Sequence, residues 1–513
     1  MLVVSFALPV AVACAVAVFA AWYPRDAGGL PSSSSWALAD RSLGPSATCL
    51  LLTGVVYTAY TYLAIPGLAS TEGGMACYAI DYTALLGPLA LTILPRLRSL
   101  AARHSLVTSA DLVRARYGSP LLATAAAATG LLASMPYLAL QMVGSRALLA
   151  AAGLGRRGAA EILFLGALCL LSSIGSHRAG LRALAKVAPV KVVFVGVALL
   201  LIVVLVATRE HGAARLFQGA AVQLAGHGGS LVPSPRHASA YATLALGSAL
   251  ALPMYPQVFT VVLAARDSRA LRVTSVFLPL WALWLGLFAM VGLAAVAEGI
   301  HVTRLNDVMA VPLLIRRLAP DWLAGLIFGS LAVGALLPAA AMAIGMSQLF
   351  VRNVYTEFIN PAATPKHEVK VARWTALALK VGAVAFALLV RPQAAVDMHL
   401  LGGVWILQTF PMVIASLFTA WFHPVALLAG WAAGMGVGTV ASDLHGFHSI
   451  IVLHIWTIRL PLYTALLGFI VNVGIALSLT PILRWAGVPR GADAIAGGAV
   501  VPRRERFRFM RVT

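Results

Sequence analysis

The chain has 513 residues, of which 60% are hydrophobic and only 11% charged. Its mean hydropathy is +0.90. A soluble globular chain carries about 25% charged residues, so this composition indicates a polytopic, all-α membrane protein instead. No alternating segment of about ten residues repeats, which excludes a membrane β-barrel. In a soluble protein the net charge of +20 would suggest nucleic acid. Here it reads as basic loops against a lipid bilayer, with no nucleic-acid partner. Cys14, Cys49, Cys77 and Cys169 fall in apolar spans at no metal-ligand spacing and read as small core residues.

Residues 2–22 form the first span. No Lys or Arg precedes it, so it lacks the basic head of a signal peptide and is expected to persist with its N-terminus outside. Further spans lie near 45–68, 74–95, 119–152, 160–176, 187–207, 238–264, 273–299, 322–351, 374–390, 399–421, 424–442 and 461–483. That makes about 13 helices. The expected organisation is a leading helix and cytoplasmic loop (1–44), a transporter core (45–421), trailing helices (422–484) and a basic, partly disordered cytoplasmic tail (485–513). Loops 208–237 and 301–320 are long but too poor in apolar residues for a soluble domain. One set of loops carries Arg96, Arg98, Arg103, Arg114 and Arg116, then Arg178, Arg182, Lys186 and Arg266, and the tail adds Arg503, Arg504 and Arg506. The excess of about two to one over the other set predicts a cytoplasmic C-terminus in the cell inner membrane. The Arg156–Arg157 and Arg316–Arg317 pairs run against that rule.

No nucleotide loop, zinc-protease motif, paired cysteines or serine-nucleophile elbow is present, so an enzyme is not expected. Two spans are interrupted. In TGVVYTAYTYLAIPGL, Gly54, Tyr57-Thr58 and Pro66-Gly67 break an apolar run; in SALALPMYPQVF, Pro253 and Pro256 bracket Tyr255. Such breaks free backbone groups at membrane depth, where they bind ions or carboxylates. The competing reading of the first is a kinked helix with an interfacial aromatic belt. The two breaks lie in matching places of two halves, which predicts inverted repeats with a site at their interface.

Several ordered segments resemble the sodium–solute symporter family, and within it the monocarboxylate permease branch. They are ADRSLG at 39–44, LVTSADLVRARYGS at 106–119, MPYLALQMVG at 135–144, GALLPAAAM at 334–342, RNVYTEFINPAATP at 352–365 and LLGGVWILQTFP at 400–411. The resemblance implies a LeuT-like fold of inverted five-helix repeats. It implies secondary uptake of small monocarboxylates such as lactate, pyruvate, acetate or propionate by alternating access, without a cofactor. It implies a substrate chamber drawn from Tyr57, Thr58, Tyr60, Tyr137, Gln141, Tyr255, Gln257, Trp405 and Gln408, with Val56 and Leu138 as apolar wall.

In sodium-driven members one ion lies between the first and eighth core helices, held by backbone carbonyls and two adjacent hydroxyls. Here the carbonyls fall near Gly54, Tyr57 and Gly334, but the hydroxyl pair falls at Leu337-Pro338, which offers no side-chain oxygen. A hard cation needs about five or six oxygen ligands, so the site is degenerate and the coupling ion is open between proton and sodium. Lys191 and Lys380 lie within apolar spans. Lys191 either snorkels to the surface or brings its ammonium to the vacant cation position. Two other readings stay open: a symporter of an amino acid or osmolyte, and a non-transporting sensor or scaffold.

Overall fold

The computed structural model describes residues 1–22, 32–154, 159–210, 212–226, 228–303, 306–390, 392–455 and 458–496. The Arg156–Arg157 pair, Arg503, Arg504, Arg506 and the rest of the tail beyond 496 lie outside them. In hydrocarbon every backbone polar group needs an internal partner, and the apolar runs accordingly become helices. The first half contains α1 (Leu2–Trp22), α2 (Ser33–Leu38), α3 (Pro45–Val56), α4 (Ile65–Glu72), α5 (Tyr78–Arg103), α6 (Ser109–Tyr117), α7 (Pro120–Ala151), α8 (Ala159–Ala179) and α9 (Leu181–Glu210). The second contains α10 (Ala213–Ala225), α11 (Ala238–Ala251), α12 (Pro256–Ala264), α13 (Ser268–Ala297), α14 (Ala310–Leu318), α15 (Asp321–Phe350), α16 (Pro365–Leu389), α17 (Pro392–Leu407) and α18 (Phe410–Phe418). After it come α19 (Pro424–Leu444), strands β1 (Ile450–Ile455) and β2 (Ile458–Tyr463), and α20 (Thr464–Trp485).

Among the described residues 11 helices are long and apolar enough to cross a membrane, or up to 13 if each of two bent pairs counts as one span. The bends fall where the sequence pattern placed them: Pro45–Val56 against Tyr60–Glu72 by 53°, and Pro235–Met254 against Pro256–Ala264 by 56°. Each opens a set of five spans, which gives the inverted repeat. Near-equal bends at matched positions put the two freed stretches of backbone together at the centre.

Several details differ from expectation. The first break comes at Tyr57, whose backbone is extended (φ −85°, ψ 110°), and not at Pro66-Gly67. Those two residues lie inside the second half-helix, Tyr60–Glu72, just after a π-helical turn, Tyr60–Ala64, that lets the helix continue through the proline. Their use is close packing: a Cβ on Gly67 would lie 2.6 Å from the Asp307 carbonyl oxygen, and one on Gly292 would lie 2.1 Å from that of Pro66. The loops 208–237 and 301–320 carry helices α10 and α14. The trailing segment adds an antiparallel hairpin, with Ile450 opposite Tyr463 and Ile455 opposite Ile458. The first residues of the tail are ordered against α6, through Arg116 to Asp493 at 3.1 Å and Ala494 N–H to Ala115 O at 2.9 Å.

Helix α15 is the axis of the bundle. From Phe328 to Leu349 every residue is buried, and small residues let its neighbours approach closely, the usual device between membrane helices. Cβ atoms added at Gly325 and Gly329 would lie 2.2 Å from the carbonyl oxygens of Leu2 and Phe6 on α1. One at Gly345 would lie 2.8 Å from the Pro256 backbone at the second break. Pro338 is accommodated within the helix. Gly329→Val should therefore push α1 off the bundle and destabilise the protein by about 1–3 kcal/mol, read as a lower melting temperature in detergent. An unchanged melting temperature would mean that α1 does not depend on this contact.

Candidate substrate chamber and cation position

At the first break the chain stops accepting its own hydrogen bonds. The amide of Thr58 donates to Thr61 Oγ1 at 3.2 Å, that of Ala59 to Gln141 Oε1 at 3.0 Å, and that of Tyr60 to Thr58 Oγ1 at 3.2 Å. The Thr58 hydroxyl also pairs with the Tyr137 hydroxyl at 3.3 Å. Side chains thus take up the amides. The freed carbonyls of Gly54 and Tyr57 are met by one group, Nζ of Lys191 on α9. It donates to Tyr57 O at 2.5 Å and to Gly54 O. Lys191 is buried, so it does not snorkel. A Cβ on Gly54 would lie 3.1 Å from Leu337 Cδ2 and 3.8 Å from Lys191 Cδ. The break, the lysine and the leucine therefore converge on one spot. Gly334 packs instead against the Tyr62 ring. Lys380 is buried between α8 and α16, where it donates to Ser173 Oγ at 2.9 Å and Ser176 Oγ at 3.1 Å.

Beside the break is a chamber holding about 540 Å³ of space, open solvent included. Six of the chain's 12 tyrosines line it: Tyr60, Tyr78, Tyr82, Tyr137, Tyr255 and Tyr463. His399, Ser248 and Gly403 belong to the same wall. The Tyr60 and Tyr78 hydroxyls are paired, and the rings of Tyr137 and Tyr255 meet edge-on at 5.3 Å. Tyr463, at the end of β2, wedges into the core from the trailing segment. A Cβ on Gly247 would lie 2.6 Å from its ring and one on Gly403 2.8 Å from its hydroxyl. Tyr463 N–H is held by Thr243 Oγ1 at 3.0 Å.

Of the residues anticipated for a chamber, the structure brings Tyr60, Tyr137 and Tyr255 to its wall. The others have different partners. Tyr57 packs against Trp281 at 6.2 Å, Thr58 and Gln141 clasp the break, and Gln257 is buried in α12. Trp405 donates its indole N–H to Thr439 at 2.9 Å. Gln408 donates to Ala465 O at 3.2 Å and accepts from Asn472 at 3.2 Å, so both residues face the trailing helices. Val56 and Leu138 are buried but are not among the wall residues. Pattern reading missed Tyr78, Tyr82, Ser248, His399 and Tyr463. Two signals were available: a histidine within an apolar span, and tyrosines four apart at the start of α5, which share a helix face.

The chamber has a wet side and a tied side. It shares Tyr60, Tyr78, Leu244 and Leu400 with a second cavity, which shares Glu72, Met75 and Ile450 with a wide recess lined by Arg236, His237 and Arg459. At the other end of α5 polar side chains knot the elements together. Arg352 donates to Asp111 at 2.8 Å, Thr108 to Asn353 at 2.9 Å and Arg114 to Glu357 at 2.9 Å, while Arg98 donates to Arg266 O at 2.8 Å. Asp111 is nearly enclosed, and breaking a buried pair leaves a costly unpaired charge.

This arrangement, two inverted repeats each opened by a broken helix with a chamber between them, defines a secondary-transporter fold. The description of the sodium:solute symporter family matches residues 36–433, and the chain belongs to that family. A protein of Rhizobium johnstonii called "Monocarboxylate transport permease protein" is 38% identical over 450 residues, 87% of this chain and 90% of its own. The "Uncharacterized symporter YodF" of Bacillus subtilis is 30% identical, over 83% of this chain and 85% of its own. Among solved structures, a substrate-bound outward-open Na+-coupled sialic acid symporter matches with a TM-score of 0.75 at 14% identity, over 93% of this chain and 97% of that one. The transporter Mhp1, in a closed conformation, matches with a TM-score of 0.53, also at 14% identity, over 92% and 99%. At such identities the structures establish the shared fold. The chain is thus a multi-pass membrane transporter of the sodium:solute symporter family.

The knot at the far end of α5 should act as a gate. With the four native cysteines replaced, a Val351→Cys reporter should react faster with a water-soluble maleimide when Asp111→Asn is also present. Equal rates would show that the Asp111–Arg352 pair does not hold that side shut.

Proposed function

We propose that this protein takes up small monocarboxylates, such as lactate, pyruvate, acetate or propionate, by alternating access, and that a proton on Lys191 replaces sodium in the cycle. The observation that carries the reading is the Lys191 ammonium on the carbonyls of Gly54 and Tyr57, with Leu337 beside it. The position is filled by a cation that belongs to the protein, and the leucine offers no oxygen to a second one. The named relative from Rhizobium johnstonii supports the cargo class. The chamber agrees with it: tyrosine hydroxyls can donate to a carboxylate, and their rings can take a short apolar tail.

Lys191 couples its proton to shape through the two carbonyls. As an ammonium it ties α9 to the last turn of α3 at the break. Hydrogen bonds to a charged donor are each worth about 1.5–3 kcal/mol. When the ammonium gives up its proton that charge-assisted tie weakens, and the lower half-helix α3 is freed to move relative to α9. The excess of basic residues in one set of loops supports a cytoplasmic C-terminus, with the N-terminus and the wet side of the chamber outside.

The test is uptake into proteoliposomes with a panel of carboxylates. Accumulation should persist when choline replaces sodium and should collapse with a protonophore; strict dependence on sodium would overturn the reading. Lys191→Ala and Lys191→Gln should both lose concentrative uptake. Unchanged accumulation in either would remove Lys191 from the mechanism.

A further inference from the structure

We infer that His399 is the residue that receives the substrate's carboxylate in the chamber, and that it binds the substrate together with a proton. The inference rests on the chamber being a monocarboxylate site.

The packing of α17 on α7 explains how the imidazole gets there. A Cβ on Gly402 would lie 2.6 Å from the carbonyl oxygen of Ala133, so the two helices touch at that point. They run antiparallel. About one turn away along each, three and four residues being neighbours on a helix face, come His399 and Tyr137. Their rings lie 4.2 Å apart and 31° from parallel. Tyr60 meets the other flank of the imidazole edge-on at 5.1 Å. The histidine is clamped between tyrosines from the first break and from α7, in the wall of the chamber.

His399 is only 8% exposed, yet its Nδ1 has no hydrogen-bond partner. A buried polar atom is almost always paired, and one left unpaired marks a place where something else completes it. The composition of the wall says what. Among the described residues it consists of six tyrosines, one serine, one histidine and apolar residues, with no lysine, arginine, aspartate or glutamate. A carboxylate leaving water for such a site needs a positive partner or strong donors. Histidine is the side chain whose ordinary titration spans physiological pH, so His399 is the group in this wall suited to supply that charge. The hydroxyl-bearing tyrosines that share the wall with it are Tyr60, Tyr78, Tyr82, Tyr137, Tyr255 and Tyr463. The charged groups nearest on neighbouring elements are Glu72 and Asp307 in the adjoining cavity, with Asp397 two residues earlier on the same helix. His448, also titratable, lines that same cavity.

No covalent step is involved. Charging a buried imidazole alone is costly, so the proton and the carboxylate enter together from the wet side, and the imidazolium donates a charge-assisted hydrogen bond to one oxygen of the carboxylate. Release toward the other side returns both. A substrate with an amino group would bring a second positive charge to a wall that offers it no acid, which favours a bare carboxylate over an amino acid.

The experiment is lactate binding to purified protein across pH 6 to 8 for the wild type, His399→Gln and His399→Asn, with melting temperatures alongside. The wild type should bind more weakly as the pH rises. The variants should melt like the wild type, bind about tenfold more weakly or worse at the low end, and lose the pH dependence. Lys191→Ala should keep a pH-dependent affinity, because the titrating group in the chamber is still present; this arm serves even if both histidine variants fail to fold. Wild-type affinity and pH profile in a folded His399 variant, or a flat profile in Lys191→Ala, would overturn the assignment to His399 and leave the cargo reading standing. If the wild type binds no member of a carboxylate panel, both fall together.

Discussion

A helix that unwinds inside a membrane leaves carbonyl oxygens without partners, and in hydrocarbon no water is available to supply them. The rest of this structure follows from how that need is met at Tyr57. The amides of Thr58, Ala59 and Tyr60 are taken by Thr61, Gln141 and Thr58. The carbonyls of Gly54 and Tyr57 are taken by a titratable group, Nζ of Lys191. A neutral partner would satisfy the same oxygens and leave the break static. A titratable one would make the stability of the break depend on a proton, which is what the proposed coupling requires of the core.

The surrounding helices serve that one region. The buried α15 brings Leu337 against Gly54 and Gly345 against the second break at Pro256, so a single helix touches both interrupted spans. Glycine is needed at both points because a Cβ at either would press on its neighbour. Helix α7 joins the break to the chamber: Gln141 holds an amide of the break, while Tyr137, one turn earlier, faces the cavity. A shift at the break therefore reaches the chamber wall through one turn of one helix. The hairpin closes the chamber from outside the ten-helix core by setting Tyr463 into the notch left by Gly247 and Gly403.

Much of this is legible in the chain. The spans follow from apolar length. Pro253-Met254-Tyr255-Pro256 announces the second break, because two prolines so close cannot continue a helix. A lysine ten residues past the start of a long apolar helix has few places to go, and Leu337, counted back from Arg352, comes to lie beside Gly54. What the chain conceals is choice among partners. An amide side chain in a membrane binds either substrate or backbone, and Gln141 and Gln408 both took backbone. Pro66-Gly67 looks like a break and is a packing contact, because the π-helical turn before it lets the chain stay helical through the proline. The hairpin alternates too briefly to be told from the start of the next span. Tyr463 and His399 reach the chamber through glycines, 247, 402 and 403, whose partners are more than fifty residues away in sequence.

The central claim is that the protein's own ammonium fills the place where a metal cation would otherwise be held. Equilibrium binding of radioactive sodium to the purified protein tests it most directly, at near-neutral pH and with lactate present or absent. The account predicts no saturable sodium binding in either condition. Saturable, stoichiometric binding of sodium to the wild-type protein would contradict it.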